Sequence, residues 1–216
     1  MNPLTELAEY EELNRDLNRG KGPVQISGCM DSQKVHLMWE AGETLPWKLV
    51  VTYDDSRAKE IYEDFRCFTD AVWLYADIHG NLITRERMQV LRHLIEEKSG
   101  VVVTTIDGLM DHLLPLSMVE SQILTVRQGE VIDIEEWKQR LVSLGYERMA
   151  QVDGMGQFSI RGGIVDIFPL TEELPVRIEL WGDEVDSIRS FDPESQRSVE
   201  QLEEVVLYPA TEIVLT

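Results

Sequence analysis

Two cysteines in 216 residues, Cys29 and Cys67, are too few for a disulfide framework. They fall in separate predicted elements and fit reduced thiols. Basic residues are scarce as well: 20 lysines and arginines face 40 aspartates and glutamates, for a formal net charge of -20. Phosphate binding releases counterions only where lysine and arginine accumulate, so the chain is not expected to grip nucleic acid itself. Such charge favours solubility and repels other acidic bodies, and the expected partner is a protein. No apolar run approaches membrane length, and the N-terminal MNPLTELAEYEELNRD is acidic, without the basic and then apolar order of a signal peptide. The expected location is the cytoplasm, with no membrane partner.

Catalytic signatures are equally sparse. His36, His79, His93 and His112 form no H-x-x-x-H pair and have no cysteine at ligand spacing, so no metal and no cofactor is expected. No G-x-S-x-G nucleophile elbow occurs. The acidic pairs Asp54 with Asp55, Glu172 with Glu173, and Asp183 with Glu184 read as solvated surface in so acidic a chain. No residue is given a catalytic role, and no repeat or low-complexity segment stands out.

A hydrophobic content of 43% and a charged content of 28% describe an ordinary globular protein, long enough for one large domain or two smaller ones. A first helix is expected from Pro3, with Leu4, Leu7, Leu13 and Leu17 on a loose stripe and Gly20 as its stop. Val24, Gln25 and Ile26 read as a short strand, followed by a helix through Val35, Leu37, Met38 and Trp39. Trp47 to Thr52 is a nearly continuous apolar strand of the buried parallel kind, and Ser56 is expected to cap a helix carrying Ala58, Ile61, Tyr62 and Phe65. A strand from Ala71 to Tyr75, an amphipathic helix from Arg85 to Lys98 and a strand from Val101 to Thr105 complete the pattern. Alternating strands and helices imply an α/β doubly wound parallel sheet.

The pattern changes after Pro115. A strand from Ser121 to Arg127 and a helix from Ile134 to Leu144, ended by Gly145, precede a run of strands from Gln157 onward, punctuated by Gly and Pro. The expected organisation is a parallel-sheet α/β domain over residues 1–118 and a smaller α+β, mostly antiparallel domain over 119–210. The terminal VVLYPATEIVLT stays apolar without a stop signal and reads as part of something longer.

The turn after the first expected strand invites a phosphate-binding reading. Gly28 to Val35, GCMDSQKV, can be laid on the G-x-x-x-x-G-K-[ST] pattern, and Gly28 and Lys34 match. Gln33 stands where the second glycine lets the backbone approach a phosphate, Val35 replaces the metal-binding hydroxyl, and Asp31 would put negative charge in the cradle. The loop reads as a degenerate P-loop that keeps its fold and has lost its ligand.

The strand PVRIELW carries the other informative feature. Its period of two sends Val176, Ile178 and Leu180 to one face and Arg177, Glu179 and Trp181 to the other. An indole beside an arginine on the second face is the composition of interaction hot spots. The alternative is that Trp181 folds over its neighbours or caps a second small core. Arg161 takes the outward position of the strand in which Phe158 and Ile160 face inward, and Gly162 with Gly163 permits a turn that sets the two strands side by side.

The strings QFSIRGGIVDIFPL, PVRIELWGDEVDSIRSFDPESQRS and LYPATE, behind a sheet domain with a disabled P-loop, resemble the N-terminal region of the bacterial transcription-repair coupling factors. That region in turn resembles the excision-repair protein UvrB. The resemblance implies a degenerate helicase-like α/β domain interrupted by a UvrA-binding domain, with 211–216 starting the return to the first domain. It implies a noncatalytic adaptor in this chain and an ATP-dependent DNA translocase in the full-length protein, whose RNA polymerase and DNA partners are reached through regions absent here. By the same resemblance, UvrA contacts fall on Arg161, Arg177 and the aromatic Trp181, on a face partly masked by a distant domain of the intact protein. The stretch YADIHGNLITRER, short and with the single aromatic Tyr75, stands where UvrB relatives carry an aromatic DNA-handling hairpin, and DNA loading is not expected. The alternative is a nucleotide- or DNA-handling domain in the manner of UvrB.

Overall fold

A computed structural model describes residues 4, 8–41, 44–75, 85–110 and 115–211. Leu7, the stretch 76–84, His79, His112 and the terminal segment 212–216 lie outside the described residues, as do the side chains of Ala8, Asp31 and Ser32. The chain divides into two compact units, Met1–Asp77 with Glu97–Asp111 and Ile78–Glu96 with His112–Thr216.

The first unit contains helices α1 (Ala8–Asn18) and α2 (Asp31–Ala41), strand β1 (Trp47–Thr52), helix α3 (Asp55–Phe65) and strand β2 (Val72–Tyr75). Helix α4 (Arg85–Glu96) clusters with the second unit, and the chain then returns through strand β3 (Gly100–Thr105) and helix α5 (Ile106–Met110). The three strands form a parallel sheet in the order β1-β3-β2, with Leu49 opposite Val102 and Leu74 opposite Val103. Val35 from α2 and Ala58, Ile61 and Phe65 from α3 pack with Val72, Val101 and Val103, so the apolar stripe of each helix covers one sheet face. Gly100 sits where an added Cβ would lie 2.2 Å from the Trp73 ring. A glycine is what lets the Trp47 and Trp73 rings meet at 5.8 Å.

Three sequence expectations change here. Val24 to Ile26 is not a strand: both apolar side chains are exposed, because Pro23 lacks a donor and so short a run gains too few ladder bonds to hold an edge. The cap of α3 is Asp54 rather than Ser56, its carboxylate accepting from the Arg57 N–H at 2.7 Å, which starts the helix two residues earlier than Ser56 would. The expected strand Ser121 to Arg127 splits into helix α6 (Leu116–Gln122) and strand β4 (Leu124–Arg127), because Val119 is buried on a helical face with Met88, Leu91 and Tyr208.

The second unit continues with α7 (Ile134–Ser143), β5 (Glu147–Arg148), β6 (Gln157–Arg161), β7 (Ile164–Ile167), β8 (Val176–Trp181), β9 (Glu184–Phe191), β10 (Ser198–Leu202) and β11 (Glu204–Leu207). Strands β10-β9-β8-β7-β6-β5 form one six-stranded sheet, antiparallel except for β5 with β6, while β11 pairs with β4. The expected α/β class is thus met in general terms, by mixed structure with one parallel sheet, one mostly antiparallel sheet and one antiparallel pair. Asp133 caps α7 through the Glu135 and Glu136 N–H groups, and Gly145 at φ 86 turns the chain out of the helix. Trp137, Leu141 and Leu144 pack on Phe158, Val165, Ile167, Val176, Ile178 and Ile188, the inward alternation of four strands. The Tyr146 hydroxyl donates to the Tyr208 carbonyl at 2.8 Å, and burial pushes both phenols well above their ordinary range. Arg92 of α4 ties this unit together, donating to Glu96 and Glu172 at 2.9 Å each.

Candidate partner-binding face

Strand pairing dictates what stands on the outer face of the six-stranded sheet. Ser159, Asp166, Arg177 and Arg189 lie in one cross-strand row, and Arg161, Ile164, Glu179 and Ser187 in the next. Two arginines directly opposite one another repel, so each requires its own carboxylate. Asp166 serves Arg177, which donates Nε–H to Oδ1 at 2.6 Å and Nη2–H to Oδ2 at 2.9 Å in a bidentate fork. Glu179 serves Arg189 in a close ion pair and accepts from the Ser187 hydroxyl at 3.2 Å.

Asp166 also accepts from Arg161 Nη2 at 2.8 Å, so one carboxylate with a side chain 1% exposed gathers guanidinium groups from β6 and β8. The hydrogen bond with Asp166 holds the Arg177 guanidinium above its usual pKa, against the desolvation that opposes it. The fork is further fixed by the Phe191 ring, 4.5 Å from the guanidinium carbon, and by Gln196, whose Oε1 accepts from Nη2 at 3.0 Å. Arg177 is therefore mostly covered while Arg161 is half exposed, with side-chain exposures of 17% and 49%.

Trp181 shares that face at the far end of β8, about 13 Å from Arg177 by the strand rise. It is 84% exposed, so it neither folds over its neighbours nor caps a second core. Strand β8 keeps its alternation to the end; the irregularity after Gly182 belongs to β9, where the register shifts between the partners of Glu179 and Leu180 and leaves Asp186 unpaired in the ladder. Glu184 lies opposite Trp181 and forms an isolated bridge to Val131, itself 75% exposed, in the segment between β4 and α7.

The sequence expectation names Arg161, Arg177 and Trp181, which the structure places on one sheet face; it does not name Asp166, Phe191 and Gln196, which contact Arg177, or Val131. Asp166 had a usable signal: a lone carboxylate inside the apolar run IVDIF would be buried, and a buried charge needs a partner. Val131 had none, since its place follows from an isolated bridge between distant segments.

In the first unit, Gly28 takes φ 84, and the Gln33 Oε1 accepts from the Met30 N–H at 3.2 Å, turning the carboxamide back onto its own loop. Val35 is buried in the core, and Lys34 borders a cleft of about 560 Å³ shared with Arg57, Met38, Val50 and Ile61. Among the described residues, no group of three or more His, Cys, Asp or Glu side chains could hold a metal ion, and no helix is long and apolar enough to cross a membrane.

Residues 124–213, which hold this outer face, match the family model of the UvrB interaction domain. Over its full length the chain is 35% identical to the transcription-repair-coupling factor of Staphylococcus aureus strain Mu50, and it is 44% identical over 131 residues to that of Staphylococcus haemolyticus. The first alignment covers 100% of this chain and 20% of the relative, the second 61% and 11%. The chain is thus similar from end to end to the N-terminal region of transcription-repair-coupling factors, and it spans about a fifth of their length.

Proposed function

We propose that this chain is a noncatalytic adaptor module of a transcription-repair coupling factor, whose outer sheet face binds UvrA and so brings excision repair to stalled RNA polymerase. The observation that carries this reading is the pairing, within residues 124–213, of a carboxylate-anchored arginine pair with a tryptophan left 84% exposed. A large indole held in water on a rigid strand gains by burial in a partner, and guanidinium donors beside it supply direction. Arg161, with its half-exposed side chain, and Trp181 make direct contact in this reading, while Arg177 offers the donors that Asp166 and Gln196 leave free. Polymerase and DNA are engaged by regions outside this chain, and a distant domain of the intact protein masks the face until it is needed. The module acts in the cytoplasm.

The test is association of the purified chain with UvrA. Wild-type chain is expected to be retained on immobilised UvrA, and a folded Arg161→Ala, Arg177→Ala, Trp181→Ala triple variant is expected to be lost. Full retention of the triple variant would refute the assignment of the face.

We further propose that residues 1–118 are a degenerate helicase-like domain, set before a UvrA-binding domain over 119–210. The turned-back Gln33 and the core-directed Val35 support it, since neither leaves a phosphate cradle or a hydroxyl for magnesium. The cleft beside Lys34 favours the second reading, a nucleotide-handling domain like that of UvrB. Titration with a fluorescent ATP analogue and magnesium separates the two: no saturable binding is expected, and saturation at micromolar analogue would favour the second.

A further inference from the structure

The string FDPESQR carries part of the resemblance to the coupling factors and lies outside the strands that bear Arg161, Arg177 and Trp181, its first residue ending β9. In the structure it is a tight turn between β9 and β10. The Asp192 carboxylate accepts from the Ser195 N–H at 2.7 Å and from its hydroxyl at 2.6 Å, and the Asp192 N–H donates to the Arg197 carbonyl at 2.9 Å. The Ser195 donors hold the Asp192 carboxyl below its usual pKa. At the end of this turn Gln196 has φ 60, and it is the non-glycine residue that takes a positive φ among the described residues.

A left-handed backbone is adopted by glycine without strain, and asparagine or aspartate tolerate it better than a long side chain does. Backbone geometry alone would therefore select against glutamine here. The side chain supplies the missing reason. Its Nε2 donates to the Pro193 carbonyl at 2.8 Å, which fixes the carboxamide, and its Oε1 accepts from Arg177 Nη2 at 3.0 Å. That same Nη2 donates to Asp166, so the guanidinium is gripped on two sides while the Phe191 ring, one residue before the turn, lies against its plane.

We infer that Gln196 is a positioning residue for the partner face: the strained FDPESQR turn exists to present a carboxamide that orients the Arg177 guanidinium toward UvrA. Gln196 itself need not touch the partner. The inference rests on the reading that Arg177 belongs to the UvrA-binding face. It assigns the strain at Gln196 to recognition, in line with the clustering of unfavourable backbone conformations at functional sites.

Gln196→Gly separates the backbone from the side chain, because glycine relieves the positive φ while removing the carboxamide. The whole chain, titrated against UvrA, is expected to keep its melting temperature or gain slightly, and to lose about tenfold in affinity, the lower end of what one hydrogen bond to a charged group contributes. Placed on Arg177→Ala, the same substitution is expected to change affinity no further, because Gln196 acts through Arg177. Where Arg177→Ala fails to fold, Arg177→Lys takes its place in the cycle, keeping a positive charge beside Asp166. Unchanged affinity of Gln196→Gly, or a loss that persists undiminished in the Arg177 variant, overturns the proposal. If the Arg177 variant itself binds UvrA as the wild type does, the reading of the face fails first and the inference falls with it; an Arg177 loss without a Gln196 loss sinks the inference alone.

Discussion

Asp166→Ala is expected to lower the unfolding free energy of the second unit by about 3–5 kcal/mol, the cost of breaking a buried ion pair from one side. The magnitude follows from what the carboxylate holds. Its side chain is 1% exposed and accepts three hydrogen bonds, two from Arg177 and one from Arg161. Without it, a guanidinium 17% exposed keeps its charge beside Arg189, its direct cross-strand neighbour, with Gln196, the Phe191 ring and the charge of Glu179, already paired with Arg189, to offset it. Arg161→Ala is the contrasting case. Its guanidinium is half exposed and meets Asp166 through one hydrogen bond, so its removal should cost no more than about 1 kcal/mol. Hydrogen exchange of the β6, β7 and β8 amides reads both variants within the second unit and avoids averaging over the two units. Equal protection in Asp166→Ala and the wild type would show that this carboxylate does not hold the sheet.

That contrast also explains which parts of the fold were legible in the sequence. Alternation is a local property, so β8 could be read residue by residue, and the inward row Val176, Ile178 and Leu180 is the one that packs on the core. The helices α3, α4 and α7 announced themselves through apolar spacing and differ from expectation by a residue or two at their ends. What periodicity cannot carry is pairing between distant strands. Gln196 and Val131 matter because of the strands placed beside them, and a sequence has no marker for that until register is known; IVDIF signals that Asp166 is buried but not which arginines it meets. Short segments fail for a different reason: at Val24 to Ile26 a few apolar residues satisfy a strand pattern by chance, and only the presence or absence of a ladder partner decides the outcome. The same limit applies at the degenerate loop, where the motif mismatch at Gln33 was visible but not the hydrogen bond that turns its carboxamide onto Met30.

Trp181→Ala should separate binding from stability more cleanly than any other substitution on this face. An indole that is 84% exposed contributes little to folding, and the melting temperature is expected to stay within about 1 °C of the wild type. Affinity for UvrA should nevertheless fall by about 30-fold or more, corresponding to the roughly 2 kcal/mol that a central aromatic anchor supplies. Because the lost term is apolar, the ratio of mutant to wild-type affinity should barely change with salt, and the loss should appear mainly in the dissociation rate. Arg161→Ala must behave differently: its half-exposed charge acts across water, so its effect should shrink as ionic strength rises and fall partly on the association rate. Surface plasmon resonance at two salt concentrations distinguishes these signatures. A Trp181→Ala variant that binds with wild-type kinetics would leave the exposed indole without a function, and the partner face would then have to be centred on the arginine pair alone.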